Sequence, residues 1–233
     1  PLRLVTFAGG RGFITYQDLD GADADAIRKL VAVALARYRA NPAITRVEWK
    51  TRGHDHAPGL HQSLLDHGFV PGEPESIMIG EARRLAVDLA LPKGVTLRQV
   101  SREDDVRAMT AMSALAFGDP PAEAAKTANA LLRRLSREDG MELWVAEADG
   151  QVVSAGRLEP VPDTCFAGIW GGSTLPEWRR RGIYRALTAE RARSALRLGK
   201  TLINSDSTED SRPILERYGF LKVSTTTPYL WRR

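Results

Sequence analysis

Residues 95–100, VTLRQV, alternate apolar and polar side chains, the period of a half-buried strand. Ser101 with Asp104 reads as a capping box that opens a helix running through Ala116. Asp119-Pro120-Pro121 breaks the chain, and a second helix extends to about Leu135. The stretch MELWVAEADGQVVSAGRLE predicts a hairpin turning at Asp149-Gly150, a pair suited to the positive φ angles of a type I′ turn. Pro160, Pro162 and Asp163 make the next turn, and TCFAGIWGGSTL is a third strand. Its Gly171-Gly172 pair predicts a weak point, a bulge, or a close approach to the backbone. RALTAERARSALRLG is helical: Ala186, Leu187, Ala189, Ala192, Ala195 and Leu196 form an apolar stripe, and Arg185, Arg191, Arg193 and Arg197 cover the other side. Gly199 is a helix stop. TLINSDS is a short buried strand, SRPILERYG a short helix, and FLKVSTTTPYLW a closing pair of strands.

The N-terminal part, roughly residues 11–80, repeats the later half of this order. RGFITYQ predicts a strand, DADAIRKLVAVALARYRA an amphipathic helix, AITRVEWK a strand, and APGLHQSLLDHGFVPG a short helix leading into another strand. SLLDHGFV and ILERYGFL superpose with Gly68 on Gly219 and Phe69 on Phe220. This points to an internal duplication whose first copy is partial and degenerate. The expected division is a first copy over 1–81, a linker over 82–94, and a complete domain over 95–233.

Composition narrows the class. The chain has 233 residues, 43% hydrophobic and 27% charged, enough for a buried core. No apolar run approaches the ~18 residues of a membrane span, and PLRLVTFAGG lacks the apolar stretch of a signal peptide, so a cytoplasmic protein with no membrane partner is expected. The only cysteine, Cys165, cannot form an internal disulfide and is expected as a small buried hydrophobe.

The net charge of +4 permits anionic partners without requiring nucleic acid. Its distribution is more informative. Residues 179–197 carry seven arginines against one acid, Glu190. No aromatic residues interleave as on a stacking platform, so nucleic acid is a weak expectation. Within LPEWRRRGIYRAL, Arg179, Arg180 and Arg181 precede Gly182 and a helix start. A helix start leaves about four N–H groups unpaired and carries partial positive charge, so it is an anion site. Gly182 lets a ligand reach the backbone, and arginines add bidentate contacts to phosphate. The residues therefore place a phosphate or pyrophosphate here, or else a solvated basic helix start with a packing glycine. The Gly-Lys-Ser/Thr of a P-loop and the dinucleotide fingerprint are both absent.

With Arg179, Gly182 and Tyr184 after a strand and opening a helix, and Pro176 ahead of them, the stretch resembles the acyl-coenzyme A pyrophosphate loop of the GNAT superfamily of N-acetyltransferases. The resemblance covers about residues 95–233, through Tyr218-Gly219-Phe220. Tyr184 departs from the family's Gly/Ala at that position. The resemblance implies an α/β (α+β mixed sheet) fold, here in tandem with an incomplete N-terminal copy, and acetyl-CoA as co-substrate with no metal. It implies that Ser173, Thr174 and Leu175 offer backbone groups to the pantetheine arm. Arg179, Arg180, Arg181, Gly182, Ile183, Tyr184 and Arg185 would cradle the pyrophosphate. The next strand would diverge and leave the thioester near Asn204 to Ser207. Thr208 stands where the family often has Asn, and Ser211 matches a frequent Ala or Ser. The family's usual acid, a Tyr, is replaced by Leu215, with Tyr218 as a substitute. Glu159 and Asp206 are the candidate bases.

At the matching helix start the first copy has Asp18, Asp20, Asp23 and Asp25, which suit a helix N-terminus but repel a pyrophosphate, so one coenzyme A site is expected. All four histidines fall between His54 and His67. His54 and His56, with His61 or Asp66, would make a metal site, but the spacing matches no defensible zinc pattern. The implied activity is transfer of an acyl group from coenzyme A to a small-molecule, peptide or protein amine in a ternary complex. The rival is a non-catalytic acyl-CoA-binding module of the same fold. Acceptor walls are expected around Phe117 to Pro121 and Ser224 to Tyr229. A homodimer is compatible with the sequence.

Overall fold

The computed structural model describes every residue except Ala8. Its contacts divide the chain into two compact units, one made of residues 1–77 and 223–233, the other of residues 78–222.

In the first unit, β1 (Leu2–Phe7) pairs antiparallel with β2 (Arg11–Tyr16), and β2 pairs parallel with β3 (Arg46–Arg52). Between β2 and β3 runs α1 (Ala24–Arg39). Its Ile27, Val31, Ala34, Leu35 and Tyr38 are buried at the helical spacing of one apolar face. They meet Ile14 and Tyr16 of β2 and Val47 and Trp49 of β3. Asp23 caps α1 by accepting from Ala26 N–H at 2.8 Å. After α2 (Leu60–Asp66) and β4 (Val70–Pro71), the chain enters β5 (Glu75–Glu81), which crosses into the second unit.

The second unit continues with α3 (Ala82–Leu85), β6 (Val95–Val100), α4 (Glu103–Phe117), α5 (Pro121–Leu135), β7 (Glu142–Ala148), β8 (Gln151–Pro160), β9 (Phe166–Thr174), α6 (Ile183–Arg197), β10 (Leu202–Ser207) and α7 (Arg212–Glu216). Strands β6 to β9 form an antiparallel meander, and β10 returns parallel to β9 after the α6 crossover. Helices cover both faces. Val106, Met109 and Met112 of α4 and Ala128 and Leu131 of α5 pack on Leu143, Val145 and Ala155. On the other face, Ala192 and Ala195 of α6 pack against Leu158, Ile169, Ile203, Leu215 and Phe220. The last strand, β11 (Leu221–Arg232), begins in this unit and supplies residues 223–232 to the first, where it pairs antiparallel with β3 and β4.

The Asp149-Gly150 turn has both φ angles positive, as its sequence required. Five local expectations change. The closing stretch is one strand of 12 residues, not two, and its last seven residues, 226–232, pair with Arg46–Arg52 of β3. The compact units do not follow the boundaries 1–81, 82–94 and 95–233: α3 occupies the expected linker with Ala82 and Leu85 buried, and residues 223–233 pack with the first unit. Arg102, not Ser101, caps α4 and makes no side-chain cap bond; Glu103, Asp104 and Asp105 fill the first turn instead. Leu196 is 37% exposed, whereas Arg191 is buried. Cys165 is exposed.

SLLDHGFV and ILERYGFL share more than letters. Phe69 N–H bonds Leu64 carbonyl at 3.0 Å, and Phe220 N–H bonds Leu215 carbonyl at 3.2 Å. Gly68 and Gly219 both have positive φ, the left-handed helix exit that glycine accepts at no Cβ penalty. Leu64, Leu215, Phe69 and Phe220 are all buried. No helix among the described residues is long and apolar enough to cross a membrane.

Candidate active site

The site begins where β9 leaves its neighbours. Parallel pairing of β9 with β10 covers Phe166–Leu202, Ala167–Ile203 and Gly168–Asn204. Beyond Gly168 and Asn204 the two strands separate, though β9 runs on to Thr174 and β10 to Ser207. A wedge opens between them, and among the described residues the backbone of residues 169–174 has no strand partner on that side. Asn204 and Asp206 alternate with buried Ile203, Ser205 and Ser207, so they share the other face of β10 at the wedge. Asn204 is the last paired residue and Asp206 lies past it.

On its opposite edge β9 bulges. Its register with β8 steps from Trp170 opposite Arg157 to Ser173 opposite Ala155. Gly171, with φ +61°, takes the left-handed conformation at this step. The bulge changes which side of β9 faces what. Ile169 packs into the α6 side and Trp170 faces α4 and α5. After the extra residue, Gly172 faces Tyr184 of α6 and Ser173 faces Ser113 of α4, with the two hydroxyls 2.9 Å apart. The fully buried Ser154 hydroxyl braces the far side: it donates to Ser173 carbonyl at 2.7 Å and lies 2.8 Å from Thr174 Oγ1. Leu175 N–H bonds Val153 carbonyl, so its backbone donor is already used.

After β9 a single 3₁₀ turn, Pro176–Trp178, leads into the arginine run. The three arginines have different positions. Arg179 bonds Thr174 carbonyl at 3.1 Å and Ala116 carbonyl at 3.2 Å, which ties the loop to the ends of β9 and α4. Arg180 adopts φ +61°, a left-handed conformation that costs a non-glycine residue about 1–2 kcal/mol. Arg181 stacks on Trp178 with its guanidinium 4.8 Å from the ring centroid. Gly182 caps α6 with φ +80°, no side chain satisfies the helix start, and a Cβ there would meet nothing within 4 Å. Among the described residues no side chain caps the first N–H groups of α6, and the space around Gly182 is open. Ile183 points into the core, and Arg185 bonds Tyr218 hydroxyl through Nε at 3.0 Å and Nη2 at 2.6 Å. Among the expected phosphate contacts, Arg179 and Arg185 already hold protein groups; their charges remain beside the loop.

The catalytic candidates are placed unequally. Asp206 stands on β10 two residues past the last one paired with β9. Glu159 is shared by two guanidinium groups, Arg134 at 2.7 Å and Arg157 at 2.6 Å, so its carboxylate oxygens are occupied. Tyr218 accepts from Arg185, which leaves its own proton free to donate. Leu215 is wholly buried. Thr208 and Ser211 bond each other at the start of α7, with the hydroxyls 3.4 Å apart.

Two groups carried no sequence signal. Arg191 is buried in α6, yet among the described residues it bonds only neutral acceptors: Leu187 carbonyl, Thr188 hydroxyl and, at 3.3 Å, Arg157 carbonyl. Burial pulls its pKa down to about 10. It fits because Gly156 has no side chain: a Cβ there would lie 2.5 Å from Nη1. The second is a cavity of about 180 Å³ on the α4/α5 side of the bulge, lined by Phe117, Asp119, Arg157, Trp170 and Gly171 among others. Phe117 and Asp119 fall in the loop expected to wall the acceptor site; Arg157 and Trp170 reach it only through the strand pairing.

The histidines disperse in the first unit. His54 Nδ1 lies 2.7 Å from Ser224 Oγ, His61 Nδ1 2.6 Å from Tyr229 hydroxyl, and His67 Nδ1 2.7 Å from Ser63 carbonyl. Among the described residues no three His, Cys, Asp or Glu side chains gather as a metal would require.

Residues 108–220 match the sequence model of the acetyltransferase (GNAT) family. No curated protein sequence matches the chain. Solved structures share its fold. A tandem GNAT protein from the clavulanic acid biosynthesis pathway aligns over 99% of this chain and 78% of its own, with a TM-score of 0.68 and 15% identity. A GCN5-related N-acetyltransferase from Kribbella flavida aligns over 98% and 88%, with a TM-score of 0.63 and 19% identity. A functionally unknown conserved protein from Staphylococcus epidermidis aligns over 96% and 84%, with a TM-score of 0.67 and 17% identity.

Proposed function

The chain carries an acetyltransferase domain of the GNAT family over residues 108–220, and on that premise we propose that it is a coenzyme A-dependent N-acyltransferase acting on a primary amine. The observation that carries this reading is the uncapped start of α6 at Gly182, open to solvent at the end of the strand that forms the wedge. The pyrophosphate binds the N–H groups of residues 183–185, with Arg180 and Arg181 adding charge. The pantetheine arm follows Ser173 to Leu175 into the wedge, where Asn204 borders the thioester.

The amine nitrogen attacks the thioester carbonyl carbon, an N–C bond forms, and the C–S bond breaks. One proton leaves the amine and coenzyme A departs as its thiol. Backbone N–H groups at the β9 bulge stabilise the oxyanion. Asp206, directly or through water, accepts the amine proton, and Tyr218 supplies one to the sulfur. The two guanidinium groups on Glu159 argue for a positioning role there instead of proton transfer. The first copy is a degenerate remnant of a duplication without a second coenzyme A site, because Asp23 already occupies the start of α1. The lone cysteine suits a reducing cytoplasm.

A non-catalytic acyl-CoA-binding role is favoured by one observation: buried Leu215 stands where the family's acid usually is. Calorimetry with acetyl-CoA followed by turnover with an amine panel separates the two. Binding at one per chain with turnover supports transfer; binding without turnover leaves the module; no binding overturns both.

A further inference from the structure

The cavity at the bulge has a charge pattern of its own. Arg157 donates Nε to Glu159 at 2.6 Å, and among the described residues nothing accepts from its Nη1 or Nη2. That guanidinium end lies beside the bulge, with Nη1 3.4 Å from the Cβ position of Gly171. The charge is reinforced from below, because buried Arg191 bonds the Arg157 carbonyl and has no carboxylate partner among the described residues. Across the cavity, Asp119 is exposed and its carboxylate has no partner among the described residues. Between these charges the walls are apolar, with Phe117, Leu131 and Trp170. A volume of about 180 Å³ lies far above the ~30 Å³ share of one water and below the ~300–1,000 Å³ of drug-sized sites.

Building on the transfer reading above, we propose that the acceptor is a free α-amino acid with an apolar side chain, its carboxylate held by Arg157. The unused edge of a guanidinium matches a carboxylate bidentately. Because Arg157 stands against the bulge where the thioester carbonyl is expected, an anion bound there places the nitrogen one carbon away at the reacting centre. The side chain fills the apolar walls, and Asp119 attracts the ammonium form as it enters. The ammonium loses one proton, then attacks; an N–C bond forms, the C–S bond breaks, and the products are the N-acetyl amino acid, coenzyme A thiol and one released proton.

The test compares L-leucine with isopentylamine, which lacks only the carboxylate, at fixed acetyl-CoA on wild type, Arg157→Gln and Arg157→Lys. Calorimetry with N-acetyl-L-leucine runs in parallel as a readout that needs no turnover. Wild type prefers leucine by about tenfold or more in kcat/KM, the scale of one charge-assisted contact. That preference collapses in Arg157→Gln, chiefly through KM, and is partly kept in Arg157→Lys. Equal or better use of isopentylamine by wild type, or a preference that survives Arg157→Gln, overturns the assignment. N-acetyl-leucine binding that depends on Arg157 without any turnover upholds the assignment and sinks the transfer reading. Absence of both binding and turnover overturns the assignment. Should Arg157→Gln not fold, Arg157→Lys and the wild-type comparison decide.

Discussion

The ring of Tyr184 occupies the space that a side chain at position 172 would need: a Cβ on Gly172 would lie 2.7 Å from Tyr184 Cε2. Tyr184 stands where the resemblance implies Gly or Ala, and its ring fits because Gly172 on β9, twelve residues earlier in the chain, has no side chain.

Gly172→Ala should therefore overpack this contact, at a cost of ~1–3 kcal/mol, or a fall in Tm of about 2–10 °C for a domain of this size. Gly172→Ala with Tyr184→Ala should recover much of the loss. Thermal unfolding of the double-mutant cycle checks this; additive effects would mean that the two residues do not share a site.

Gly182→Glu places a carboxylate in the open space at the start of α6 and should abolish acetyl-CoA binding in calorimetry. Gly182→Ala tests backbone alone: nothing blocks its Cβ, but φ +80° costs about 1–2 kcal/mol, so affinity should fall far less. Unchanged affinity in the Glu variant removes the pyrophosphate from this loop.

Arg191 is charged at neutral pH against its surroundings. Its pKa, pulled down by burial to about 10, lies below that of an unfolded arginine. Above pH 10 the unfolded chain holds this proton while the folded one does not, so this group's contribution to stability rises with pH; below pH 10 it opposes folding throughout. Arg191→Met should keep or raise Tm at pH 7. It should also free the Arg157 carbonyl and loosen the bulge, lowering turnover roughly ten- to a hundredfold, as a ~1 Å misplacement does. A large drop in Tm with normal turnover would assign Arg191 to packing alone.

Arg98 on β6 bonds Glu147 of β7 and, at 2.7 Å, Asp105 of α4. Hydrogen bonding to its guanidinium holds both carboxyls below their ordinary values. This contribution is complete above the usual carboxylate range and is lost as pH falls through the lowered values. Arg98→Gln should lower Tm at pH 7, and the gap to wild type should close as pH falls below the ordinary carboxylate range. A gap independent of pH would mean that the arginine acts through packing.

Local chemistry was legible in the residues themselves. The alternation of β6 to β9, the Asp149-Gly150 turn, the glycine pair that bulges, the α6 start at Gly182 and the acids at the start of α1 each depend on neighbours a few positions away, where period, φ preference and helix-end electrostatics act. Tertiary structure decided what depends on distant partners. The last seven residues of the closing strand are paired by β3, more than 170 residues earlier in the chain. Arg191 is buried because Gly156 leaves room, although its sequence spacing placed it on a polar face. Glu159 resembles a candidate base in the chain but is held between Arg134 and Arg157 in space. The cavity that joins Asp119, Arg157 and Trp170 exists only after α4 is laid across the bulged edge of β9, because the side a strand residue faces depends on register, and the bulge resets register midway.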